Sequence, residues 1–239
     1  MRATIAIMQR ELLSMFCTPI GYVVIAGFLL ILGVLVILTE GFEPGQPATL
    51  RNAFGLMPFI LAFVVPAIAM RTLSEEYRNG TIEGMMTAPI SDAQLVLGKF
   101  LGSAAFYAVM LATSLIYPIL MQVYGSPDWG AVFSTYVGLM LIGLFFLAVS
   151  IFTSSFSSNQ IIAWITASVL LASFAVGGFL LVRHVGGFWR QLIQRANVMG
   201  RFEEAALGLF TTGSLVCFGA LAGLFLFLTI KVVESRRWR

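Results

Sequence analysis

Charge is scarce in this chain. Lys, Arg, Asp and Glu make up 10% of its 239 residues, whereas a soluble domain carries about 25% to cover its surface. With 59% of residues hydrophobic and a mean hydropathy of +0.95, a water-soluble fold is excluded. The class is an all-α polytopic membrane protein. Cysteine is almost missing. Cys17 and Cys217 lie in or beside apolar segments and read as packing residues rather than a disulfide. His184 is the only histidine, so no cluster has metal-ligand spacing. No HExxH sequence occurs, and no nucleophile stands beside a base and an orienting group, which leaves no catalytic constellation. The stretch AQLVLGKF, residues 93–100, brushes against a phosphate-binding loop. It has Ala93 where the leading glycine belongs and Phe100 where a magnesium-binding hydroxyl belongs, so no cofactor is expected on this chain. The net charge of +3 is too small for a nucleic-acid surface. Charge is also absent from the middle of every long apolar run, which argues against a proton relay or an ion-driven carrier.

What the chain does have is length of apolar sequence. About 20 residues of helix cross the hydrocarbon core, and six runs qualify: 19–38, 53–70, 100–123, 131–152, 161–182 and 211–233. Pro58, Pro66 and Pro118 fall inside them, which lipid tolerates when neighbouring helices satisfy the freed carbonyls. With the N-terminus inside, Arg2, Arg10, Arg71, Arg78, Lys99, Lys231, Arg236, Arg237 and Arg239 are cytoplasmic, and Arg51, Arg183, Arg190, Arg195 and Arg201 are outside. Nine against five favours both termini on the cytoplasmic side. Residues 1–17 place Ile5, Met8, Leu12 and Met15 on one side and Arg2, Gln9, Arg10 and Ser14 on the rest, the pattern of an interfacial helix. The apolar run after Pro19 is too long for a signal peptide, and no small-x-small cleavage site follows it cleanly. Residues 183–210 are too apolar for a solvent loop. Phe188, Trp189, Leu192 and Ile193 make one apolar face there, and Phe202, Ala205, Ala206 and Leu209 another, so interfacial helices or a structured outer loop are expected.

Between the second and third runs lies SEEYRNGTIEGMMTAPIS, a polar stretch within a segment, 71–99, far longer than a turn requires. Ser74 to Tyr77 suit a short helix ending near Asn79-Gly80, and Ser91 or Asp92 suits the cap of the next helix, with Pro89 closing what precedes it. Gly98-x-x-x-Gly102 opens the third run and Gly219-x-x-x-Gly223 lies in the last; both spacings let helices approach closely. Tyr107, Thr113, Ser114 and Tyr117 are the polar side chains of the third run that would line a pathway.

The run MRTLSEEYRNGTIEGMMTAPISDAQLVLGKFLG, residues 70–102, resembles the corresponding region of ABC-2 type transporter permeases. The likeness is greatest to the branch that includes gliding-motility-associated and copper-maturation permeases. Arg71, Glu75, Glu76, Gly80, Thr81, Glu83, Pro89, Ser91, Gly98 and Lys99 match that pattern residue by residue, and Met85 and Met86 stand where relatives often carry leucines. The start, QRELLSMFCTPIGYVV, with Arg10, Glu11, Leu12 and Pro19, resembles the elbow helix that precedes the family's first span. The resemblance implies a permease subunit of an ATP-driven exporter, without a nucleotide site of its own and with interfacial or re-entrant helices in the outer segment 183–210. It would pair with a second copy or a related permease and with two cytoplasmic ABC ATPase subunits that carry ATP and Mg. It would reside in a bacterial or archaeal cytoplasmic membrane and could work alongside a periplasmic-domain partner. Arg71, Glu75, Glu76, Gly80, Thr81, Ile82, Glu83, Met85, Met86 and Pro89 would then form the coupling segment that docks on the ATPase. The alternative is a membrane scaffold subunit of an ATP-driven motility or envelope-assembly complex.

Overall fold

The computed structural model describes residues 2–40, 51–81, 90–124, 128–184, 198–206 and 212–236, and every regular element among them is a helix. In chain order these are α1 (Arg2–Cys17), α2 (Pro19–Glu40), α3 (Arg51–Gly55), α4 (Met57–Ala69), α5 (Ser74–Asn79), α6 (Asp92–Thr113), α7 (Ile116–Tyr124), α8 (Trp129–Ser154), α9 (Gln160–His184), α10 (Val198–Ala206) and α11 (Thr212–Arg236).

Local chemistry sets most of the boundaries. Thr18 separates α1 from α2; its hydroxyl folds back on the Ser14 carbonyl at 3.0 Å, and Pro19 opens α2, where a missing N–H costs nothing. Gly21 is required at this corner, because a Cβ there would lie 2.2 Å from the Met15 carbonyl oxygen. Gly80 ends α5 with φ of 68°, a left-handed cap that only glycine adopts freely. Ser91 and Gln94 form a capping box at the start of α6, and Asp128 accepts from the Gly130 and Ala131 amides to start α8. Pro118 has no N–H to offer the Ser114 carbonyl, and the third apolar run breaks there into α6 and α7.

Five helical stretches among the described residues are long and apolar enough to cross a membrane: Pro19–Leu38, Met57–Asn79, Asp92–Val123, Trp129–Ser154 and Thr212–Ser235. The run expected at 161–182 falls in α9, which is 25 residues long; its side chains are described as far as Ala175. The chain is a multi-pass membrane protein. α8 is the central helix, apolar on all sides and packed by α4, α6, α9, α10 and α11. Phe145 on α8 is the hub of a ring cluster with Phe146, Phe174, Phe218 and Phe225, at centroid separations of 5.6, 5.6, 6.3 and 6.1 Å. α2 and α11 lie at the margins and leave most of their apolar surface uncovered.

The two ends of the bundle differ. At one end α1 lies along the first turns of α6, beside the turn after α4 and beside α5. At the other, α10 packs on α3, α8 and α9 with Phe202 fully buried. On α1 the packing face is shifted from the expected one. Ile7, Leu12, Met15 and Phe16 meet the core, while Ile5 is exposed, because the contacts to α6 select positions 4, 7, 8 and 11.

Candidate functional site

The site begins with two missing side chains. Gly98 and Gly102 sit one turn apart on α6, and α1 rests directly on them. A Cβ at Gly98 would meet Ile7 at 2.8 Å and the Thr4 carbonyl at 3.0 Å; one at Gly102 would meet Glu11 at 2.8 Å and the Met8 carbonyl at 3.0 Å. This close seat, which small residues make possible, brings Glu11 to Lys99.

Lys99 is 2% exposed. Its ammonium lies 2.8 Å from Glu76 Oε1 on α5 and 3.3 Å from Glu11 Oε2 on α1, and it donates to the Thr72 carbonyl in the turn after α4. Arg10 approaches Glu76 from the rim at 3.8 Å, largely in solvent. An ammonium buried this deeply needs its acceptors, since removing a partner from a buried pair leaves an uncompensated charge. Surface pairs such as Lys231–Glu234, at 2.8 Å, carry no such penalty.

A second tie holds α5 from the side. Leu73, at the N-cap position of α5, has no capping side chain. The cap comes instead from Ser154 at the far end of α8, whose hydroxyl oxygen accepts from the Leu73 and Ser74 amides at 3.3 and 3.1 Å. The same hydroxyl donates to the Met70 carbonyl at 3.1 Å. Two orphan donors of a helix start are thus satisfied by a residue 81 and 80 positions away. Arg71 adds a third tie, reaching Thr18 Oγ1 at 2.9 Å and Glu75 at 3.3 Å. Glu75 and Glu76 occupy the first turn of α5 and Arg78 the last, the signs the helix dipole favours.

Arg71, Glu75 and Glu76, read from the sequence as one motif, therefore sit together, and Arg10 and Glu11 join them from α1. Gly80 and Thr81 lie exposed at the end of α5. Ile82, Glu83, Met85, Met86 and Pro89 lie outside the described residues. Leu12 packs against the core and Pro19 starts α2. The four polar residues of the third run have separate environments. Tyr107 is fully buried and donates to the Leu139 carbonyl at 2.7 Å, its ring filling the space a Cβ of Gly143 would take. Tyr117 repeats the device on α2, donating to the Leu29 carbonyl at 2.6 Å with its hydroxyl over Gly33. Ser114 is buried between the Leu111 carbonyl and Tyr136, and Thr113 is exposed, folded back on the Met110 carbonyl. Sequence reasoning missed the roles of Thr18, Thr72 and Ser154, for which no local signal exists. It placed Lys99 and Glu76 in one motif and Glu11 in the elbow helix, but it did not pair them.

An apolar cavity of about 500 Å³ opens between α2, α4 and α9, lined in part by Val23, Gly27, Phe28, Phe63 and Trp164. The indole N–H of Trp164 is committed to the Phe63 carbonyl at 3.0 Å, one turn before Pro66.

The family described as ABC-2 family transporter protein matches residues 4–199, a stretch that takes in α1, α5 and α6. The probable ABC transporter permease protein NosY of Pseudomonas aeruginosa (strain PAO1) is 29% identical over 121 residues, which are 48% of this chain and 44% of that protein. The chain thus matches less than half the length of that curated relative.

Proposed function

The chain belongs to the ABC-2 family of transporter proteins, and from that premise we propose that it is the permease subunit of an ATP-binding cassette exporter whose energy comes from a separate cytoplasmic ATPase. A second copy or a related permease completes the pathway, and two ATPase subunits carry ATP and Mg. The chain spans the cytoplasmic membrane six times, with α9 as the fifth span and both termini inside. The nine-to-five distribution of basic residues supports this orientation. α1 lies along the inner leaflet, and α10 belongs to the outer segment.

The observation that carries the reading is the immobilisation of α5. A solvated connector needs no buried lysine and no cap borrowed from another helix. A lever does, because force delivered to a soft element is lost in bending it. Segment 71–99 is the coupling segment on this reading. Ile82, Met85 and Met86 are its apolar anchors and Glu75 and Glu83 its rim charges; interface energy concentrates in such anchors rather than at the rim.

The test is the complex of permease and ATPase, assayed for co-purification and ATP hydrolysis. Met85→Asp is expected to lower both, by about tenfold or more in affinity, the cost of spoiling one buried anchor. Met85→Asp with docking and turnover at wild-type levels would sink the coupling assignment.

A further inference from the structure

We propose that Lys99 is the positioning residue that makes α1, α5 and the first turns of α6 move as one body, so that a push on α5 is delivered to two elements at once. The proposal rests on the coupling role given above to α5 and adds to it the route by which the push leaves that helix.

Three acceptors on three elements share this one buried ammonium: Glu11 on α1, Glu76 on α5 and the Thr72 carbonyl in the turn that follows α4. The Lys99–Glu76 contact is 2.8 Å long. A slide of α5 by about 1 Å relative to α6 would stretch it beyond hydrogen-bond range and leave opposite charges apart in a largely buried site. The low-energy motion is the one that keeps all three acceptors around the ammonium. α1 cannot lag behind either, since Gly98 and Gly102 seat it against the same turns of α6 with no slack for sliding.

The two followers run in different directions. α6 carries on into the third apolar run, whereas α1 is the amphipathic helix with Leu13 and Arg10 exposed along it. A displacement of α5 is therefore split between a helix that crosses the bilayer and one that lies along its surface. Arg71, which reaches both Thr18 at the α1–α2 corner and Glu75 on α5, holds the same three-part body at its second corner. The ion cluster adds a directional tie to the close seat of α1 on α6, because separating its members would leave an uncompensated charge inside the protein.

The experiment uses the permease purified with its ATPase. K99M/E11Q/E76Q removes the shared charge together with both carboxylates, so no unpaired ion is left inside. Because Glu76 is buried against Lys99 and only Glu75 and Glu83 are given to the partner, expected are an unchanged ATPase stoichiometry and an unchanged KM for ATP, with the permease-stimulated part of kcat lowered about tenfold, the scale on which residues of a coupling network act. Stimulation at the wild-type level would overturn the proposal. So would loss of the ATPase from the complex, which would make the cluster a docking or folding element. Should the triple variant give no folded permease, Glu11→Met removes the acceptor on α1 and leaves the Lys99–Glu76 pair. It is expected to lower stimulated kcat by a smaller factor at constant KM, and a wild-type kcat there overturns the proposal as well. Failure of the coupling reading is distinguishable, because it shows in Met85→Asp while the Lys99 variants keep the ATPase bound.

Discussion

At Lys99 one ammonium group serves two carboxylates and a carbonyl, and the value of that arrangement depends on all of them being present. Lys99→Met alone is expected to destabilise the protein by about 3–5 kcal/mol, the penalty for stranding buried partners. K99M/E11Q/E76Q should recover most of that loss, and thermal unfolding of the purified permease measures both; a triple variant less stable than the single one would contradict the buried-charge account. Tyr107 makes a different kind of demand. Its hydroxyl contributes a bond worth about 0.6 kcal/mol in a membrane interior, but its ring stands where a side chain on Gly143 would be, with Cε1, Cζ and the oxygen 2.1, 2.1 and 2.3 Å from that Cβ. Gly143→Ala should therefore reduce folded yield sharply. Tyr107→Phe should not rescue it, since two of the three offending atoms remain, whereas Tyr107→Ala should. Neither cluster was legible in the sequence. Glu11 and Thr72 lie 88 and 27 positions from Lys99, and Leu139 lies 32 from Tyr107; Glu76 shares a motif with Lys99 but not a helix, and no periodicity links residues so placed.

The elements themselves were far more legible, because helix ends are local chemistry. The Asn79-Gly80 dipeptide, Ser91 and the apolar runs each announce a boundary within a few residues. What the sequence left open was the meaning of Gly98-x-x-x-Gly102. Glycine pairs recur in such chains, and at the second of them, Gly219 and Gly223, an added Cβ would meet nothing within 4 Å among the described residues. The first pair is the berth of α1. Gly98→Leu should lift α1 off α6 without disturbing the apolar helices. The measurable result is faster tryptic cleavage after Arg10 in membranes at unchanged expression. Cleavage as slow as in the wild type would mean that α1 is held elsewhere.

At the scale of the whole molecule, the proposed orientation puts the end built from α1, α5 and Lys99 on the cytoplasmic side. Arg10, Arg71 and Lys99 gather at that end, as the positive-inside bias expects of a cytoplasmic side. In a background lacking Cys17 and Cys217, a cysteine at Ser126 should react with a membrane-impermeant thiol reagent in intact cells, and one at Ser157 should react only after lysis. The opposite pattern, or equal labelling, would remove the six-span, N-inside reading. Fold class was fixed by composition, since a chain with so little charge has few options. The packing order was not, because α8 and α2 are both uniformly apolar, and only contact shows that one is central and the other marginal.

The borrowed partners of Lys99 also impose an order on biosynthesis. Glu11 is made 88 residues before the lysine that neutralises it. At about 5–20 residues per second of translation, the nascent α1 spends several seconds with its carboxylate unmatched and its berth on α6 not yet synthesised. α1 is thus not fixed until α6 is made, after two apolar runs have been synthesised behind it. Ser154 comes later still, so α5 is uncapped until α8 is complete. The end of the molecule assigned to force transmission is therefore finished only when most of the bundle already exists, and a ribosome stalled before α8 leaves a chain that has membrane helices but no lever.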